Sequence, residues 1–104
     1  MTKKEIERFF AGRFKTYKAE KTILRVQKNN LNFARTAFIV SSAVKKNAVA
    51  RNKTRRRMGE IVRKICLNSS ADFIFSIKLT DKRSYSFKFL KEEIEKLLKL
   101  CGVL

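Results

Sequence analysis

The chain contains no histidine, which removes every His-based acid–base pair and nucleophilic triad from consideration. Its two cysteines, Cys66 and Cys101, stand alone, and without histidine beside them they make neither a zinc site nor a disulfide scaffold. Both fall on the apolar faces of expected helices and read as buried free thiols. No apolar stretch approaches the roughly 18 residues of a membrane span. The charged, amphipathic N-terminus lacks a signal-peptide pattern, so a cytoplasmic protein with no membrane partner is expected. Acids are scarce: the nine Asp and Glu are scattered and form no obvious two-metal cluster of a self-sufficient nuclease. There is no internal repeat and no low-complexity linker.

Against those nine acids stand 26 Lys and Arg, a formal charge of +17 on 104 residues. So strong a field repels itself unless a polyanion or counterions compensate it, and nucleic acid is the natural partner. A disordered basic tail is excluded by the apolar content, 44% with nine Phe, which is too high for the composition of disorder. The chain reads as one RNA-binding domain over residues 1–104. Folding at this length buries roughly two-thirds of the unfolded surface, enough for one modest core.

Local patterns supply the elements. Thr2 is an N-cap candidate for a helix to Ala11, with Ile6, Phe9 and Phe10 at helical spacing and Gly12 closing it. Phe14 to Tyr17 reads as a short strand. Thr22 to Gln27 alternates as a longer one, with Thr22, Leu24 and Val26 on one face. After the turn Lys28-Asn29-Asn30, Ala34 to Ser41 gives a third strand, whose continuous run Phe38-Ile39-Val40 suggests a central position in the sheet. Ser42 to Asn47 is a polar connector. A second helix is expected from about Val49 to Leu67, because Met58, Ile61, Val62 and Ile65 recur on one face. Asp72 to Ile77 is the fourth strand and Thr80 to Ser84 a loop. The last helix is capped by Ser86, carries Phe87, Leu90, Ile94, Leu97, Leu98 and Cys101 on one face, and stops at Gly102. The fold class is therefore α+β, an α-β-β-β-α-β-α sandwich with helices against a four-stranded sheet and a βαβ crossover.

The second helix concentrates the charge. At about 100° per residue, Asn52, Arg56 and Arg63 fall away from its apolar face, Lys53, Arg57 and Lys64 occupy the outer flank, and Arg51 and Arg55 lie nearer the core-facing side. Glu60 is the only acid between Lys45 and Lys64, whereas a merely solvated helix face mixes signs. The phenylalanines are core by default. Phe10 and Tyr17 are the aromatics assigned to a ligand-facing groove, since unpaired bases stack on exposed rings.

Arg51-Asn52, with Lys53, Arg55, Arg56 and Arg57 close behind, resembles the arginine-asparagine-arginine signature of the bacterial ribonuclease P protein subunit. The resemblance spans nearly the whole chain. Ile6 and Phe10 stand where the family places a phenylalanine pair ahead of a glycine, here Gly12. Val40 and Ser41 match the start of a Val-Ser-Lys-Lys motif whose lysines are replaced by Ser42 and Ala43. Ala48-Val49 and Glu60 fit the signature helix, Lys53 replaces an arginine, and Gly59 stands where a basic residue is common. Asp72 and Ser86-Phe87 fit the last strand and helix.

What the resemblance implies is a division of labour. The crossover would be left-handed, against the usual right-handed rule. The partners would be ribonuclease P RNA and the 5′ leader of precursor tRNA, with no obligate protein partner. Lys45, Lys46, Arg51, Asn52, Lys53, Arg55, Arg56, Arg57 and Arg63 would bind the RNA subunit, and Ile6 and Phe10 the leader, with Tyr17 placed beside them because strand alternation permits it rather than because the resemblance implies it. The holoenzyme would be an Mg²⁺-dependent endoribonuclease maturing tRNA 5′ ends, the Mg²⁺ held mainly by RNA subunit and substrate, with no catalytic side chain in the protein. Charge and size alone also fit a small ribosomal-type or general RNA-binding structural protein. A DNA-binding regulator fits less well, because the basic helix lacks the short preceding helix of a helix-turn-helix.

Overall fold

The computed structural model describes residues 1–104. Helix α1 is Lys3–Ala11, strands β1, β2 and β3 are Lys15–Lys18, Thr22–Lys28 and Arg35–Ser42, helix α2 is Ala48–Ile65, strand β4 is Ala71–Leu79, and helix α3 is Phe87–Leu100. The element order is the one expected from the sequence. Thr2 caps α1 through a capping box, its side chain accepting from the Glu5 N–H while the Glu5 carboxylate accepts from the Thr2 N–H. Ser86 caps α3 by accepting from the Phe89 N–H.

The four strands form one mixed sheet in the order β1-β2-β4-β3. β1 pairs antiparallel with β2, β2 antiparallel with β4, and β3 parallel with β4. This corrects the position expected for β3: the crossover through α2 inserts β4 between β2 and β3, so β4 is buried nearly throughout and β3 is an edge strand whose Ile39 is 37% exposed.

Strand alternation divides the core in two. Leu24, Phe73, Phe75, Ile77, Leu79 and Val40 face α2 and α3 and pack with Met58, Ile61, Val62, Leu90, Ile94, Leu97 and Leu98. On the other face Phe9 of α1 is buried with Ala37 and Ile74, flanked by Met1, Ile6 and Phe14. That second cluster covers only part of its face.

Three core assignments differ from expectation. Cys66 is exposed, because the helix ends there: its backbone turns left-handed at φ 56° and its N–H donates to the Arg63 carbonyl. Phe33, in the loop before β3, is 58% exposed, and Phe87, at the first position of α3, is 37% exposed. Leu90, Ile94, Leu97 and Leu98 of α3 are buried as expected, whereas Cys101, at the C-cap where the helix ends, is only half-buried. No helix is long and apolar enough to cross a membrane.

Candidate nucleic-acid interface

Two surfaces carry the residues singled out by sequence. The first is the outer side of α2 with its preceding connector. Lys45, Lys46, Asn52, Lys53, Arg55, Arg56 and Arg63 are all exposed. Asn47, the N-cap, makes no side-chain cap bond; it is buried and its amide donates to the Ser42 hydroxyl and the Asp81 carbonyl. No acid lies in the first turn, so the positive end of the helix dipole faces cations with no local neutralisation, an arrangement that favours an external anion. Arg55 is exposed and bonds only sideways, its Nη1 donating to Asn52 Oδ1 at 3.1 Å.

Arg51 and Arg57 sit deeper, both half-buried. Arg57 does not extend from the outer flank; its Nη1 donates to the Tyr85 carbonyl at 2.6 Å and the Ser84 hydroxyl at 3.3 Å, tying α2 to the segment before α3. Part of its donor capacity is thereby committed to the fold.

The second surface is the sheet face that α1 leaves uncovered. α1 is seated over one end of this face by Phe9 and by Gln27, whose Nε2 donates to the carbonyls of Phe9 (3.1 Å) and Arg13 (2.9 Å). Arg35 fixes the helix further by bridging Glu5 of α1 to Asp72 of β4, donating to Asp72 through Nε (2.8 Å) and Nη2 (2.7 Å). Burial pushes the Asp72 carboxyl up, but the bonds from Arg35 and Asn29 and the Arg35 charge outweigh it and hold the group below the ordinary carboxylate range. The capping bond from the Thr2 backbone, with the Arg35 charge assisting, lowers Glu5 likewise.

Beyond α1 the face stays open. By register, Thr16 pairs with Arg25, Lys18 with Ile23, Ile23 and Ile39 with Ser76, and Ser41 with Lys78. Phe10, 42% exposed, forms the wall: its ring meets Phe9 edge-on at 5.4 Å and Phe14 at 5.6 Å. The Arg25 guanidinium lies over that ring, 5.5 Å from its centroid, and donates to Ser76 at 3.3 Å. The open end adjoins the connector that carries Lys45 and Lys46, because β3 runs directly into it.

Of the three residues grouped in this groove, Phe10 lines it. Ile6 is half-buried in the small cluster beneath α1 and positions the wall. Tyr17 is on the opposite face: it is paired with the buried Leu24 and packs against the larger core under α3, so the expectation that it shares a groove with Phe10 is corrected. Arg25 was overlooked by sequence reasoning. Its signal was an arginine on the outward side of β2, directly between the inward-facing Leu24 and Val26.

Fold and surface together define a small, strongly basic α+β protein whose uncovered sheet face adjoins a cationic helix. The chain belongs to the ribonuclease P protein family: the family model described as Ribonuclease P matches residues 1–102. Membership supports a subunit of tRNA-processing ribonuclease P, partnered with ribonuclease P RNA and a tRNA substrate. Among solved structures the chain is similar to the RNase P protein of Staphylococcus aureus, with 21% identity over 99% of this chain and 94% of that one and a TM-score of 0.77. It is also similar to the RNase P protein of Thermotoga maritima in complex with 1-(4-fluorophenyl)-2-thiourea, with 24% identity over 91% and 92% and a TM-score of 0.72. No curated protein matches.

Proposed function

We propose that this chain is an RNA-binding accessory subunit that engages two RNAs on two surfaces. The exposed cations of the connector and α2, Lys45, Lys46, Lys53, Arg55, Arg56 and Arg63, with Arg51 and Asn52 at the helix start, neutralise phosphates of the ribonuclease P RNA. The groove beside α1 takes the unpaired 5′ leader of precursor tRNA. The observation that carries this reading is the half-exposed Phe10 ring beside an uncovered sheet face, since a single-stranded nucleic acid stacks bases on such rings while cations track its backbone.

The chemistry itself is assigned to the RNA. Mg²⁺, when held by the RNA subunit and substrate, would supply metal-assisted phosphodiester hydrolysis. No group of three or more Cys, Asp or Glu side chains in this chain is placed to hold a metal ion. The protein binds, orients and screens the repulsion between two polyanions, which lowers the Mg²⁺ concentration the RNA requires.

The test is reconstitution with a bacterial ribonuclease P RNA and precursor tRNA at low Mg²⁺. Accurate 5′ cleavage is expected with the protein and not without it. The double substitution Arg51→Ala, Arg55→Ala should weaken assembly with the RNA at matched salt while the thermal unfolding temperature holds. Cleavage that is indifferent to the protein at every Mg²⁺ concentration would overturn the proposal.

A further inference from the structure

A second pocket lies on the helix side of the sheet, away from Phe10. It has a volume of about 640 Å³ and sits between the start of α2 and the 80–86 segment that leads into α3. Five cations from three parts of the chain line it: Lys46 from the connector, Lys53 and Arg57 from α2, Lys82 and Arg83 from the segment before α3, with the exposed ring of Phe87 at its side. Asp81 is the acid beside it, occupied by the Arg83 N–H at 2.7 Å and guanidinium at 3.3 Å.

The pocket is held in shape by the bonds that tie α2 to the segment before α3. Asn47 reaches across to the Asp81 carbonyl, and Arg57 holds the Tyr85 carbonyl and Ser84 hydroxyl. The 80–86 segment is thus fastened to α2 near both of its ends, and the cations it contributes converge with those of α2 although their mutual repulsion opposes this. Phe87 occupies the first position of α3, where a polar residue would have been compatible with solvent. Instead its ring stands exposed beside the cations, with the Lys64 ammonium 5.9 Å from its centroid.

We infer that this pocket captures one unpaired nucleotide of the ribonuclease P RNA, its base stacked on Phe87 and its phosphate held among Lys46, Lys53, Lys82 and Arg83. The inference rests on the RNA-subunit reading above and extends it from phosphate neutralisation to a defined nucleotide subsite. A duplex does not satisfy the geometry, because a paired base has no free face for the ring, whereas a bulged or loop nucleotide presents base and phosphate together.

The chain has no tryptophan, so Phe87→Trp places a single indole in the pocket. Titrating a bacterial ribonuclease P RNA transcript into this variant should quench its emission with a midpoint equal to the assembly Kd. Phe87→Ala should weaken assembly by roughly 5- to 150-fold, without changing the salt slope, and should unmask one unpaired nucleotide to chemical probing of the RNA. Lys82→Ala with Arg83→Ala should instead flatten the slope of log K against log salt by about 0.7 for each single-strand phosphate that is no longer neutralised. Thermal unfolding of each free variant reports any loss of fold.

Assembly of the Phe87→Trp protein at undiminished affinity with no change in indole emission, or unchanged affinity in a folded Phe87→Ala protein, would overturn the pocket while leaving the RNA-subunit reading intact. Failure of the unsubstituted protein to bind the transcript would overturn both.

Discussion

Glu93, on α3, and Thr22, at the start of β2, are joined by two buried hydrogen bonds within a four-bond clasp on residues 20–22. Glu93 Oε1 accepts from the Thr22 N–H at 3.1 Å, the Thr22 hydroxyl at 3.2 Å and the Lys21 N–H at 2.7 Å, while Oε2 accepts from the Glu20 N–H at 3.2 Å. Both residues are buried, and this one carboxylate satisfies the backbone N–H groups of Glu20, Lys21 and Thr22, while the Ala19 N–H donates to the Thr22 carbonyl. The clasp docks the edge hairpin onto the helical layer.

Glu93→Gln is expected to destabilise the protein by about 1–3 kcal/mol, because an amide NH₂ then confronts a backbone donor and the charge-assisted bonds are lost. In a domain of this size that lowers Tm by roughly 4–8 °C per kcal/mol. Calorimetry of the free protein checks the figure. RNA affinity of the folded fraction should be unchanged, since Glu93 touches neither proposed surface.

Acid should loosen α1 through Asp72 and Glu5. Both carboxyls are held below their unfolded values in the native state, so their contribution is complete above the unfolded carboxylate range, near pH 4, and disappears as pH falls through the lower folded values. Stability measured by urea titration should therefore drop below about pH 4. Asp72→Asn should be less stable at pH 7 by roughly 1–3 kcal/mol and should show a shallower acid limb. An acid limb identical to that of the unsubstituted protein would contradict the assignment.

Gly59→Ala should stabilise the protein. Gly59 lies in the interior of α2, where glycine costs about 1 kcal/mol relative to alanine, and a Cβ built there meets only the Phe38 ring, at the ordinary contact distance of 3.8 Å. A gain of roughly 0.5–1 kcal/mol in chemical denaturation is expected. Because the position faces Phe38 rather than the cationic side, assembly with RNA should not respond.

Phe10→Ala separates leader binding from folding. At 42% exposure the ring's removal should cost well below the ~3–5 kcal/mol of a fully buried phenylalanine. Affinity for precursor tRNA with a leader of several nucleotides should fall by about 1–3 kcal/mol if a full stack is lost, while mature tRNA and the RNA subunit bind as before. An equal loss for leader-bearing and leaderless tRNA would place Phe10 outside the leader path.

The helices were readable because their evidence is local. Met58, Ile61 and Val62 repeat on one face within two turns, and Thr2 and Ser86 announce their helices by capping chemistry. The sheet order was not readable in the same way. Phe38-Ile39-Val40 and Phe73-Ile74-Phe75 are equally apolar runs, and only the pairing of β2 with β4, some fifty residues apart in the chain, decides which is central. The face of Tyr17 is hidden for a related reason: alternation assigns a strand two faces but cannot say which one meets α3, and that follows from its register opposite Leu24. The exposure of Cys66 is not legible because helical periodicity continues past the point where the backbone turns left-handed.

The uneven division of the core has a dynamic consequence. α1 is held by a cluster of three buried residues, the Gln27 bond to the Phe9 carbonyl and the Arg35 bridge, whereas α2 and α3 share a cluster of 15 with most of the sheet. Helix α1 should therefore detach as a subglobal unit, its amides exchanging with solvent at a free energy below that of global unfolding. The wall of the groove would then breathe while its floor stays shut, so that a threaded strand could enter sideways past a yielding helix instead of end-first through a fixed slot.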